Sequence, residues 1–275
     1  MIKKLNYWIT ITRPLNLAII FLTAIMGYLS GSDNITGKVV YFSLPLILVA
    51  AAFYIFNDIK DIKEDSVNRP ERILVQKKIS LKQAGWFSVI LLILAIILLI
   101  LHPLWLLSLI VLILCLWLYN HKLKSILLAG NIATALVSSI PVIWGAAISG
   151  FINNTAWIIF FLAVLLHLLR EIIKDIDDYE GDLRSAKKTT AVALGIKTSR
   201  IIALTLLFPC IFLMLAVVFW SGLISIYWLI PQIMLSIVLS SAFWLLLNNK
   251  FRLCSSVIRI IMLGEVMIFS LAFIC

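Results

Sequence analysis

Six aspartates in two runs are the residues of this chain best suited to chemistry. In "NDIKDIKED" Asp58, Asp61 and Asp65 follow D-x-x-D-x-x-x-D, and in "KDIDDYEGD" Asp175, Asp178 and Asp182 repeat that spacing. On a helix, positions i, i+3 and i+7 share a face, so each triplet is expected to project its carboxylates together. Like charges at that spacing repel, and a cation removes the penalty. Oxygen-only clusters suit hard ions, and Mg2+ takes one or two carboxylates together with waters and phosphate oxygens. No His or Cys stands among these acids, which argues against zinc. Either triplet alone is also compatible with a solvated loop or a helix start; the repeat of one spacing favours a metal. Six carboxylates carry a charge of about −6, two divalent ions would leave about −2, and a diphosphate of roughly −3 would call for nearby cations. Arg72, Lys124, Lys187 and Lys188 are close enough in sequence to supply them.

The elements that must position these acids are set by composition. Of 275 residues 63% are hydrophobic and 13% charged, with a mean hydropathy of +1.11. A soluble domain carries about 25% charged residues. Nine apolar runs, at about 15–31, 40–57, 84–101, 104–120, 128–149, 156–174, 201–220, 223–247 and 256–274, are long enough to span a membrane as helices. Pro103 predicts a tight turn between the third and fourth. The expected architecture is all-α: one polytopic membrane domain over 1–275, nine transmembrane helices around a central cavity. It contains two parallel aspartate-bearing repeats at about 15–125 and 128–250. "MIKK" is a basic start, but the apolar run that follows is long and lacks an A-x-A site, unlike a signal peptide. The four cysteines (Cys115, Cys210, Cys254, Cys275) are scattered without metal or disulfide spacing and read as small buried hydrophobes.

The charges orient the spans. Of the 23 Lys and Arg, all but Lys38 fall at the N-terminus, in even-numbered connections or in the helix ends beside them. The positive-inside rule then puts the N-terminus and both aspartate runs in the cytoplasm and the C-terminus outside. The net charge of +10 is thereby a property of the cytoplasmic face of a cell-membrane protein, and neither nucleic acid nor a protein partner is implied.

"NDIKDIKED" followed by "NRPER" resembles the NDxxDxxxD…NRPxRP signature of the UbiA superfamily of intramembrane prenyltransferases. "RPLN" (Arg13 to Asn16) is similar to the family's first-helix RPxN, "YNHKLKSILLAGN" (Tyr119 to Asn131) to its Y-x-x-x-L-K…GN stretch, and "REIIKDIDDYEGD…KKTTAVALG" to its second aspartate motif. The second motif most resembles that of the digeranylgeranylglyceryl phosphate synthases. Ile73 departs from the usual second Pro of NRPxRP, and "VQKKIS" from the usual PSG-x-IS; neither touches a carboxylate. The resemblance implies Mg2+-dependent transfer of a geranylgeranyl group from its diphosphate to geranylgeranylglyceryl phosphate in ether-lipid synthesis, with two ions. It makes Asp58, Asp61, Asp65, Asp175, Asp178 and Asp182 the metal-facing set, with Asp182 the outermost. Asn57 stands beside them, and Lys124 and Arg72 would contact phosphate oxygens. Asn16, Tyr119, Arg170 and Lys188 complete the expected substrate-binding set.

Two rival functions share these features. An aromatic-acceptor member of the family, making a quinone, haem or chlorin precursor, would keep the metal site and change the acceptor pocket. A divalent-cation transporter would carry acids deep in several spans and inverted halves; here only Glu265 is deep, and the repeats run parallel. Glu265 is read as a functional group, a protonated acid, or the partner of a Ser within the bundle. Arg170 reads either as an acceptor-phosphate contact or as a snorkelling or ion-paired residue. His167 reads as a packing residue, Asp177 and Glu180 as solvated, and Phe53, Phe56 and Trp117 as either core or tunnel wall for a prenyl tail.

Overall fold

The computed structural model describes residues 2–123, 126–184, 188–220 and 226–274. It is all-helical among these residues. The elements are α1 (Ile2–Ile11), α2 (Pro14–Leu29), α3 (Gly37–Lys60), α4 (Ile62–Asn68), α5 (Leu81–Leu98), α6 (Pro103–His121), α7 (Ala129–Ser149), α8 (Asn154–Asp177), α9 (Tyr179–Arg184), α10 (Thr190–Trp220), α11 (Ile226–Leu247) and α12 (Phe251–Ile274). Eight of them are long and apolar enough to cross a membrane, and α1 with α2, bent by 50°, makes a ninth span. The expected multi-pass helical architecture is therefore present.

Boundaries follow local chemistry. Pro103 opens α6 at its first turn, where a missing N–H costs nothing, so the turn expected there is observed. Ser80 caps α5: its Oγ accepts from the Gln83 N–H at 3.2 Å while the Gln83 side chain accepts from the Ser80 N–H. The seventh span begins earlier than its apolar run suggests. α10 starts at Thr190 and is interrupted at Gly195, whose φ of 80° only glycine adopts without strain.

Without water to drive apolar association, membrane helices pack through small residues and close backbone contact. α2 and α7 do so at two glycines. A Cβ on Gly27 would stand 2.0 Å from the Val142 carbonyl oxygen, and one on Gly145 would stand 1.9 Å from that of Ala24. The Trp144 indole N–H, next along α7, donates to the Phe42 carbonyl on α3 at 2.8 Å. Behind this seam α8, α10, α11 and α12 share one apolar core, including Leu162, Leu169, Met214, Leu239 and Phe269. α5 and α6 present Ile93, Ile97, Leu104 and Leu107 outward, as a lipid-facing surface requires.

Candidate active site

The two aspartate runs are structural equivalents. α3 ends at Lys60, Asp61 sits at a break, and α4 carries Asp65; α8 ends at Asp177, Asp178 sits at a break, and α9 carries Asp182. The expectation that each triplet lies along one continuous helix face needs correction: each run crosses a bend. Backbone bonds continue through it, Asp61 N–H to Asn57 O and Asp178 N–H to Lys174 O, both at 2.8 Å. Beyond the break the short helices α4 and α9 meet each other. Contact is close: a Cβ on Gly181 would lie 2.2 Å from Asn68 Nδ2. Asn68 also donates to the Asp178 carbonyl at 3.3 Å.

Between the runs lies a cavity of about 430 Å3 that continues into the bundle. Asp61, Asp65, Asp175, Asp178 and Asp182 line its polar end, together with Asn16, Asn57, Arg72, Tyr119 and Arg170. Asp58 is buried beneath Arg13 and Arg72, which themselves reach the wall. Lys188 is exposed, and the wall reaches only its neighbour Thr189. Lys124 and Lys187 lie outside the described residues. The lower wall is apolar, with Phe53, Leu112, Leu162, Met262 and Phe269. Phe53 lines the cavity and also belongs to a buried apolar core, while Trp117 is exposed and stacks on His121.

Arginines bridge the carboxylates. Arg72 Nη1 lies 3.0 Å from Asp58 Oδ1 and also pairs with Asp65 Oδ2. Arg13 pairs with Asp58 as well, and Arg69 Nη2 lies 3.2 Å from both Asp178 oxygens. Among the described residues no three acids already form a cage for a metal. The donor set nevertheless fits a hard cation. Asp58 and Asp65 converge on a single cationic nitrogen, all donors are oxygen, and beside them the buried Asn57 Oδ1 has no hydrogen-bond partner. Burial pushes the Asp65 carboxyl above its ordinary value; Arg72 opposes this without cancelling it, and Asp58 and Asp61 add like charge. Burial alone would lower Arg69, but Asp178, with Asp65 and Asp177, outweighs it and holds the guanidinium above its usual range.

Asp175 is positioned differently. It accepts from Asn131 Nδ2 at 2.9 Å and from the Thr190 N–H at 3.1 Å, while Thr190 Oγ1 donates to Asn131 Oδ1 at 3.0 Å. α7, α8 and the start of α10 are thereby tied at one carboxylate. Sequence reasoning left Arg13, Arg69, Asn131 and Thr190 out of the site, although Arg13 opens "RPLN", Arg69 is in "NRPER" and Asn131 ends "AGN". Arg13 also holds φ 56°, an uncommon left-handed conformation for a non-glycine residue, at the bend between α1 and α2. His167, read as packing, lines the cavity. Asp177 has a partner in Arg252 at 3.4 Å, and Glu265 is partnered by Gln232 Nε2 at 2.7 Å, not by a Ser.

Residues 17–263 match the UbiA prenyltransferase family. The chain belongs to that family. As a UbiA prenyltransferase it is similar to a digeranylgeranylglyceryl phosphate synthase of Sulfolobus acidocaldarius, at 35% identity over 90% of this chain and 91% of the relative. It is similar to one of Methanosphaera stadtmanae at 31% over 90% of each. Among solved structures, a digeranylgeranylglyceryl phosphate synthase superposes with a TM-score of 0.75 at 28% identity, covering 99% of both chains. A UbiA homolog from Archaeoglobus fulgidus bound to GPP and Mg2+ shares the fold, with a TM-score of 0.68 at 17% identity over 98% of this chain and 99% of the other.

Proposed function

We propose that this UbiA prenyltransferase transfers a geranylgeranyl group from its diphosphate to the free hydroxyl of geranylgeranylglyceryl phosphate, using two Mg2+ ions. The observation that carries the reading is the convergence of both aspartate runs, with arginines between them, on the polar mouth of an apolar cavity. The names of the relatives above favour the lipid acceptor. In the reaction the allylic carbon–oxygen bond breaks and diphosphate leaves with the electron pair. The acceptor oxygen then bonds to that carbon and loses its proton.

Asp58, Asp61, Asp65, Asp175, Asp178 and Asp182 would hold the metal, with Asn57 beside them. When bound, the metal offsets the charge that develops on diphosphate. The protein's own share is positioning. Arg13, Arg69 and Arg72, which pair with aspartates and line the cavity, would also be placed to reach phosphate oxygens. Lys124 and Lys188 would add charge at the mouth, and Asn16 and Tyr119 would flank the substrate. The apolar lower wall takes the prenyl tail, each CH2 contributing about 0.8 kcal/mol on burial, and keeps water from the reacting carbon. In this reading the chain is one functional unit whose two repeats each supply an aspartate run. Its N-terminus and active site are cytoplasmic and its C-terminus outside, since 22 of 23 basic residues lie on one side.

The test is product formation in membranes given labelled geranylgeranyl diphosphate and Mg2+, with either geranylgeranylglyceryl phosphate or 4-hydroxybenzoate, and Asp58→Ala as control. A doubly prenylated glyceryl phosphate absent from the variant supports the proposal. Product from the aromatic acceptor alone would retain the mechanism and overturn the substrate.

A further inference from the structure

Below the aspartates the cavity carries a second group of cations that the metal site does not use. Arg259 on α12 and Arg170 on α8 both line it, and α12 packs directly against α8 and α2. Arg259 is eight residues into its helix from Phe251, and Arg170 seven residues before the end of α8 at Asp177. At a rise of 1.5 Å per residue each stands about 10–12 Å, or about two turns, inside the end of its helix. Arginines at such positions are costly in a membrane protein unless a partner or a ligand meets them.

Their partners are incomplete. Arg170 Nη1 donates to Glu171 Oε1 at 3.1 Å, but its buried Nε has no hydrogen-bond partner. Glu171 is already shared with Lys174, at 2.8 Å and 2.9 Å. Among the described residues Arg259 has none of the ion pairs that satisfy Arg13, Arg69 and Arg72. Arg170, Lys174 and Arg259 against Glu171 leave a net charge of about +2 in this tier. Crowded cations facing a cavity are relieved by an anion, as the crowded aspartates above are relieved by a cation.

We infer that Arg259, with Arg170, forms a separate anion site for the phosphate monoester of the acceptor lipid. The inference rests on the proposed phosphate-bearing acceptor and adds where its phosphate is held. The hydroxyl that reacts is on the carbon next to the one bearing phosphate. Holding that phosphate on α8 and α12, below the tier that takes diphosphate, places the hydroxyl near the allylic carbon and keeps the two anions apart. Arg259 thereby determines specificity for a phosphorylated acceptor over an uncharged one.

The test compares binding of geranylgeranylglyceryl phosphate and its dephosphorylated counterpart to the full-length protein without Mg2+. The proteins are wild type, Arg259→Gln and Arg259→Lys, with affinity for geranylgeranyl diphosphate plus Mg2+ measured on the same samples as a control for folding. Expected is a preference for the phosphorylated lipid that falls about tenfold to hundredfold in Arg259→Gln, is partly restored in Arg259→Lys, and leaves diphosphate affinity within about twofold. An unchanged preference in Arg259→Gln overturns the inference, as does an equal loss for both lipids or for diphosphate. Turnover on the same samples separates this from the functional reading. An Arg259-dependent lipid that binds but is not prenylated sinks the acceptor assignment and leaves the anion site; a lipid prenylated with unchanged KM by Arg259→Gln does the reverse.

Discussion

Arg69 Nη2 is equidistant, at 3.2 Å, from the two carboxylate oxygens of Asp178. The arginine follows the first aspartate run and the aspartate belongs to the second, so this pair closes the polar end of the cavity across 109 residues of sequence. Both side chains are more than two-thirds buried.

Replacing Arg69 by Ala should therefore cost about 1–3 kcal/mol in overall stability, because a mostly buried carboxylate loses its charged partner, and should weaken the alignment of α4 with α9. Activity is expected to fall about tenfold to hundredfold. The melting temperature should drop more in EDTA than with saturating Mg2+, because in the proposed function a metal would neutralise Asp178 in place of the arginine. Thermal melts with and without metal check this; an equal drop in both would contradict it.

Gly181 faces Asn68 at a distance no Cβ tolerates. Gly181→Ala should push α9 from α4, displacing Asp182 and Asp178. Activity is expected to fall at least tenfold with the membrane bundle still folded, measured as prenyl transfer beside an unchanged elution profile. Gly181→Ala with Asn68→Ala should recover part of the loss.

Metal affinity should depend on pH through Asp65. Its carboxyl is raised above the ordinary value of 3.8, so in the metal-free protein it favours the protonated form relative to the unfolded chain. That contribution to stability is complete below the unfolded value and disappears as pH rises through the folded one. Mg2+ needs the ionised form. Apparent Mg2+ affinity should then increase with pH above 3.8, through the raised value, and level off beyond it. A titration series measures this, and Asp65→Asn should flatten that part of the profile.

At the α2–α7 seam, Gly145→Val would place a branched side chain against the Ala24 carbonyl. Overpacking of this kind costs about 1–3 kcal/mol or more. The variant should melt several degrees lower, or fail to accumulate in membranes, and a melting temperature equal to wild type would disprove close packing there.

Much of this was legible along the chain. Nine apolar runs reappear as eight spans and one bent pair, because spanning a membrane imposes length and composition locally. Equal spacing of Asp58, Asp61 and Asp65 with Asp175, Asp178 and Asp182 matches two runs that each pass from a long helix into a short one. The bends at Asp61 and Asp178 did not show, since spacing alone assumes an unbroken helix. Nor did the roles of Arg13, Arg69, Asn131 and Thr190. A single cation or amide in sequence has no partner until distant elements meet.

By itself the sequence determined that this chain spans a membrane, that its acids cluster at helix ends, and that a hard cation suits them. Those properties are carried by residue type and short-range spacing. Only the tertiary structure decided which cation meets which carboxylate, that Glu265 pairs with Gln232, and that Arg259 and Arg170 share a cavity wall. Hydrogen bonds and ion pairs form over a few ångström in space, and contacts of α12 with α2 and α8 depend on how the helices pack, which no local pattern encodes.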